Sequence, residues 1–267
     1  MPSRPEVTLQ EYVVADPEAG PYALTAGPDG ALWCTLVHQG QVARVTTAGD
    51  VTTYPLRTAT GGPTMIATGT DGALWCTEFK EHRVTRLVPG RAADGGAQVE
   101  SFTLPTADAA PLGIAAGPDG AVWFTESAAD RIGRITPDGD TVLHDLPTPG
   151  AGPVGLTAGP DGALWFVEIA AGQIGRITTD GTVEEFPLPD PACRPHAIAA
   201  GPDGALWFTE WGAGRIGRIT TSGRVDGYDL PDPASEPHGI ALGPDGALWA
   251  ALETGSVVRI AVAAEGA

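Results

Sequence analysis

The sequence predicts an all-β protein, a β-propeller of six four-stranded blades, and three observations carry that expectation. Tryptophans at 33, 75, 123, 165, 207 and 249 each end a "DGALW" or "DGAVW" string, 42 residues apart except for one interval of 48. Every unit between them repeats one order of apolar runs and glycine turns. No unit shows helical periodicity. Units of about 40–45 residues with four short strands are propeller blades, and six copies make a six-bladed ring.

Each element follows from its residues. A short apolar run ("GIAAG", "GLTAG", "AIAAG") forms the first strand and meets a "GPDG" or "GTDG" turn. Asp-Gly supplies the positive φ that a tight hairpin needs. "ALWFTE" is the second strand, and a polar loop leads to "RIGRIT", the third. A second glycine turn such as "TTDGT" precedes the fourth strand, "VEEFPLP" or its equivalent. The last unit stops after its third strand, while "EVTLQEYVV" (residues 6–14) reads as an outer strand ahead of the first unit. Pairing it into the last blade closes the ring and removes open sheet edges. Residues 1–267 are then a single domain, with the six extra residues in a surface loop of unit two.

Composition narrows the function. A net charge of −18 and a pI near 4.4 argue against nucleic acid and anionic membranes as partners. The N-terminus lacks an apolar run long enough for a signal-peptide core, and no stretch approaches a membrane span, so a cytoplasmic protein is expected. Cys34, Cys76 and Cys193 are too few and too ill-spaced for a disulfide framework or a zinc site. Cys34 and Cys76 stand where other units carry phenylalanine and read as small core fillers. A ring of this size needs no partner to bury its core, and a monomer is expected.

Six internal copies separate what the scaffold requires from what it does not. Glu78, Glu126, Glu168 and Glu210 share one register and read as blade architecture. The residue after the repeat proline runs Tyr22, Thr64, Leu112, Val154, His196, His238. The residue before it runs Gly20, Gly62, Ala110, Gly152, Arg194, Glu236. Four after the tryptophan come Val37, Phe79, Ser127, Ile169, Trp211 and Glu253. Departures into Arg, His, Trp and Glu concentrate in the last two units. The start of the first strand and the end of the second lie at one mouth of the central channel. Glu236, His238 and Glu253 therefore belong together, His196 and Trp211 sit at the matching spots one blade earlier, and a closed ring brings Tyr22 alongside. His144 reads as the outer-strand aromatic position, and His38 and His82 as loop residues.

Two carboxylates beside one imidazole suit a hard divalent cation with the histidine left free as a base. Mg²⁺ takes only one or two protein carboxylates and keeps several waters. The two imidazoles could instead join a zinc or manganese site.

"GPDGALWFTE", "RPHAIAAGPDGALWFTEWGAGRIGRIT" and "EPHGIALGPDGALWAALE" resemble the virginiamycin B lyases, the enzymes that inactivate type B streptogramins. The first string is common among propellers; the two longer ones are the specific part. The resemblance implies a lyase that opens the macrocyclic lactone of a cyclic depsipeptide by elimination. It casts His238 as general base, Glu236 and Glu253 as Mg²⁺ ligands, His196 as a substrate contact that assists the leaving ester oxygen, and Trp211 and Tyr22 as packing surfaces for the apolar ring. Imidazole suits proton abstraction at neutral pH, and a metal ion meets developing enolate charge as a Lewis acid. The resemblance implies seven blades where six units are counted here; units three to six match the family's later blades in order, which puts the missing blade in the early half, around the 48-residue interval. A metal-dependent lactone hydrolase and a non-catalytic binding propeller are the competing readings.

Overall fold

The computed structural model describes residues 15, 17–90, 96–243, 246–253 and 256–262. They form a six-bladed β-propeller. Five blades are four-stranded antiparallel meanders, and three strands of the sixth are described. The expected closing strand, residues 6–14, lies outside the described residues, as does most of the irregular loop of unit two, residues 91–95. First strands line the channel: Pro21–Ala26, Pro63–Thr68, Pro111–Ala116, Pro153–Ala158, Pro195–Ala200 and Pro237–Leu242. Each packs on the next from blade one through to blade six. The described residues also include two short 3-10 turns, Pro17–Ala19 and Trp211–Ala213.

The turn glycine is left-handed as the Asp-Gly pattern requires, with φ between 71° at Gly204 and 83° at Gly120. The aspartate before it has a second task. Asp161 accepts hydrogen bonds from the Trp165 indole (3.0 Å) and the Arg176 guanidinium (2.8 Å), and its carboxyl sits below the usual range. Although burial opposes that shift, the tryptophan and arginine donors outweigh it. Asp29, Asp71, Asp119 and Asp203 repeat the clamp. The "DGALW" string is thus a tether as well as a turn, fastening strand three to the hairpin of strands one and two.

The Phe/Cys alternation has a partner across the sheet. Phe124, Phe166 and Phe208 face Gly133, Gly175 and Gly217. A Cβ on Gly175 would lie 2.0 Å from the Phe166 ring. Where the phenylalanine becomes Cys34, Cys76 or Ala250, the partner grows to Ala43, Thr85 or Val258. Volume given up on one strand is partly returned on the other, as close packing favours. Cys34 and Cys76 are buried, free and core-filling, as expected.

The core is a series of layers between blades. Trp165, Val167 and Ile174 of blade four pack with Ile198, Leu206 and Phe208 of blade five, and blades one to two, two to three, three to four and five to six repeat this. One junction differs. Among the described residues, the first strand of blade one does not pack on that of blade six as its siblings pack on their neighbours. Leu24 is 60% exposed where Ile66, Ile114, Leu156 and Ile198 are buried. Trp249 is 36% exposed where its five counterparts are at most 3%. Among the described residues, no helix is long and apolar enough to cross a membrane.

Candidate functional site

One backbone hydrogen bond recurs in all six blades and explains why the odd residues meet. The amide four residues after the tryptophan donates to the carbonyl before the repeat proline: Val37 to Gly20, Phe79 to Gly62, Ser127 to Ala110, Ile169 to Gly152, Trp211 to Arg194 and Glu253 to Glu236. These two positions are therefore joined in every blade. In blades five and six they carry the functional side chains.

The residue before the proline is left-handed throughout, with φ from 45° to 65°. Glycine holds this conformation freely, and Gly20, Gly62 and Gly152 do so. Arg194 (φ 49°) and Glu236 (φ 45°) adopt it against a cost of about 1–2 kcal/mol each. Ala110 (φ 48°) shares that conformation, so what sets blades five and six apart is the charge and size of the side chain placed there.

His238 Nε2 lies 2.6 Å from Glu253 Oε1. The His196 and His238 ring centroids are 4.6 Å apart at 71°, and the Trp211 ring stands 6.2 Å from His238 at 64°. Thr209, buried at the base of the cluster, accepts from the Ala197 amide and donates 2.7 Å to the His238 carbonyl. One hydroxyl so fixes the two histidine strands relative to each other. Burial, then the neighbouring His238, lowers the His196 pKa and so favours the uncharged ring. His196 Nδ1 and Trp211 Nε1 are buried without a hydrogen-bond partner.

Glu236 and Glu253 approach closely enough to share a proton. That contact holds the Glu236 carboxyl above its ordinary range and Glu253 below, the latter aided by His238. Two carboxyls in contact need a proton or a cation between them. The donor set fits a hard divalent ion: two oxygen ligands from the protein, with water supplying the rest. No group of three or more His, Cys, Asp or Glu stands ready as a metal cage among the described residues.

Five of the six site residues named from sequence form this cluster: His196, Trp211, Glu236, His238 and Glu253. Tyr22 stands on the exposed first strand of blade one, with no ring contact or hydrogen bond to the cluster among the described residues. Arg194 was not singled out as a site residue, yet its guanidinium lies 5.4 Å from the Trp211 ring centroid. The two line a cavity of about 520 Å³ with Ile169, Ala170, Pro191 and Ala192. The signal was present in the sequence, as a non-glycine residue at a glycine register.

Sequence comparison adds identity to this geometry. The model of the Virginiamycin B lyase family matches residues 7–142 and 90–260. A virginiamycin B lyase of Saccharopolyspora erythraea is 56% identical over 50 residues, 19% of this chain and 17% of that protein. One from Mycolicibacterium smegmatis is 62% identical over 39 residues, 15% of this chain and 14% of its own length. The matches thus span less than a fifth of either curated relative. Structural likeness extends much further. Virginiamycin B lyase from Staphylococcus aureus superposes with a TM-score of 0.87 at 40% identity, over 94% of this chain and 83% of that one. A catalytically inactive histidine-to-alanine variant of the same enzyme, with quinupristin, gives 0.86 at 40% identity over 93% and 82%. With the family model covering nearly all of the described propeller, the chain belongs to the virginiamycin B lyase family.

Proposed function

We propose that this protein opens the lactone ring of type B streptogramins by base-catalysed elimination. The observation that carries the reading is the contact of His238 with Glu253 at 2.6 Å, with the His196 ring packed beside it at the channel mouth. In the tautomer that donates from Nε2 to Glu253, His238 keeps its Nδ1 lone pair. That nitrogen takes the proton α to a carbonyl of the depsipeptide, and Glu253 steadies the imidazolium that forms. The ester C–O bond β to the carbanion breaks, the electron pair leaves on the carboxylate, and a linear peptide with a dehydrated residue remains. His196 faces the leaving oxygen. Trp211 and Arg194 offer an aromatic face and a guanidinium to the apolar ring and its carbonyls. Glu236 and Glu253 would hold Mg²⁺, which when bound supplies Lewis-acid stabilisation of the enolate charge.

Elimination consumes no water, so the product has the mass of the substrate. Incubation with quinupristin followed by mass spectrometry should show an isobaric linear peptide carrying a dehydro residue. A product heavier by one water, labelled in ¹⁸O-water, would sink the lyase reading in favour of a lactone hydrolase.

A further inference from the structure

We propose that Phe79 and Lys80 of blade two are a second substrate contact, on the rim of the channel mouth opposite His238. The phenyl ring packs on the apolar face of the macrocycle, and the ammonium takes one of its carbonyl oxygens. That choice of ligand rests on the lyase reading. The chain has 33 Asp and Glu against 15 Lys and Arg, so a cation finds a carboxylate easily. Most of the described arginines do, from Arg44 with Asp29 to Arg224 with Asp226. Among the described residues, Arg57, Lys80 and Arg194 have no such partner. Arg57 follows the outer strand of blade one. The other two stand at the channel mouth, each next to an aromatic residue: Arg194 with Trp211, and Lys80 with Phe79.

Register makes the two pairs equivalent. Phe79 holds the position of Trp211 and Glu253, and its amide makes the same hydrogen bond to the carbonyl before the repeat proline. One residue on, the amides of Lys80 and Gly212 donate to the carbonyls of Gly61 and Cys193. Lys80 therefore faces Gly62 as Gly212 faces Arg194. A Cβ on Gly62 would lie 3.1 Å from Lys80 Cγ, and one on Gly212 would lie 3.4 Å from Arg194 Cβ. The spot has room for one long side chain, and the residue opposite it is glycine in both blades. Blade five fills it with Arg194 from the first strand, blade two with Lys80 from the end of the second. Lys80 lays its stem over Gly62, the counterpart of Arg194 and Glu236, and stays exposed. Phe79 is 39% exposed, so core packing does not account for it. Val37, Ser127 and Ile169 at its register carry no ring.

Place and chemistry suit one ligand. Blades two, three, four and five pack in sequence, so three junctions, half the turn of a six-blade ring, separate the two pairs. With packed sheets about 10 Å apart, strands on opposite rims stand on the order of 20 Å apart. Side chains reaching in from both rims narrow that gap to the size of a peptide macrocycle. A cyclic depsipeptide offers what both pairs lack: apolar faces for the aromatic rings, and carbonyl oxygens for cations with no carboxylate of their own. Held at two opposite points, the macrocycle cannot swing about its contact with Trp211, and its ester stays over His238.

The His238→Ala protein lets binding be read without turnover. Calorimetric titration with quinupristin should give a Kd that rises about tenfold when Lys80→Met is added, and Lys80→Arg should keep most of the affinity. Phe79→Ala should raise the Kd several-fold. Arg57→Gln, which removes the same charge beside the outer strand, should not move it. Lys80 is the one lysine in the sequence, so among side chains amine acetylation followed by peptide mass spectrometry reads it alone. Saturating quinupristin should slow that modification. A Kd unmoved by Lys80→Met, or a Lys80 acetylated at the same rate with and without quinupristin, would overturn the rim contact and leave the lyase reading intact. A His238→Ala protein that does not bind quinupristin would remove both. Affinity lost in Lys80→Met, with no ring opening by the wild-type protein, would support the rim contact and sink the lyase reading alone.

Discussion

At the scale of single residues, the left-handed position before the repeat proline separates scaffold from chemistry. Four blades fill it with glycine or alanine; blades five and six place Arg194 and Glu236 there and accept the strain. His238 is the residue on which the proposed reaction turns. His238→Ala should cut kcat on quinupristin by on the order of 10²–10⁴-fold, the usual contribution of a general base, with the far-ultraviolet spectrum unchanged. A variant with wild-type kcat would remove His238 from the base role. Glu168 tests the buried carboxylates. Glu78 is paired with Arg83 at 2.7 Å, whereas Glu168 has only the neutral Gln173, and burial pushes its pKa up to about 7. The folded state thus holds a proton that the unfolded state, titrating near 4.3, has released. Stability is full below that value and declines as pH rises from about 4.3 to about 7, by at most roughly 4 kcal/mol at 1.36 kcal/mol per unit. Glu168→Gln should remove this decline, so urea titrations at pH 4.5 and pH 8 should show the variant gaining on wild type at the higher pH. A constant difference between the two would show that the carboxyl titrates normally.

Strands two and three of each blade work as a matched pair. Phe166 occupies the space above Gly175, and Cys76 leaves room for Thr85. Gly175→Ala should therefore destabilise by about 1–3 kcal/mol through overpacking. Adding Phe166→Cys should return most of that loss, a coupling visible in a double-mutant cycle by chemical denaturation. Additive effects would mean that the ring and the Cβ do not compete for space. Thr209 ties the site to this framework, and Val167 at its register in blade four shows that the position tolerates an aliphatic residue. Thr209→Val should cost about 1 kcal/mol of stability and loosen the His196–His238 spacing, read as a fall in kcat larger than the change in KM.

Much of this was legible in the sequence. The blade count, the turn chemistry, the cysteines as fillers and the meeting of Glu236, His238, Glu253 and Trp211 all follow from register arithmetic among the copies. The Asp161–Arg176 clamp was not, because its partners lie 15 residues apart on strands whose pairing only the fold displays. Nor was the separation of Tyr22 from His238, since a repeat pattern fixes which blades are neighbours and not the angle between them.

For the molecule as a whole, five packed junctions hold the scaffold independently of any ion at the channel mouth. Chelation with EDTA should abolish streptogramin opening, and added Mg²⁺ should restore it, while the propeller stays folded by circular dichroism. Full activity in the chelator would free Glu236 and Glu253 from the metal role. The chain superposes on the longer S. aureus enzyme at a TM-score of 0.87, covering 83% of that chain. The matched pairs within each sheet say how such a difference in length can arise. Every size-exchange couple and every aspartate clamp is internal to one blade, so a recombination point at the repeat proline moves a complete, self-consistent cassette. A crossover between strands two and three would instead unite a phenylalanine with a threonine or a cysteine with a glycine. Gain and loss in this lineage should therefore come in whole units of about 42 residues, with breakpoints at the prolines and none within a hairpin.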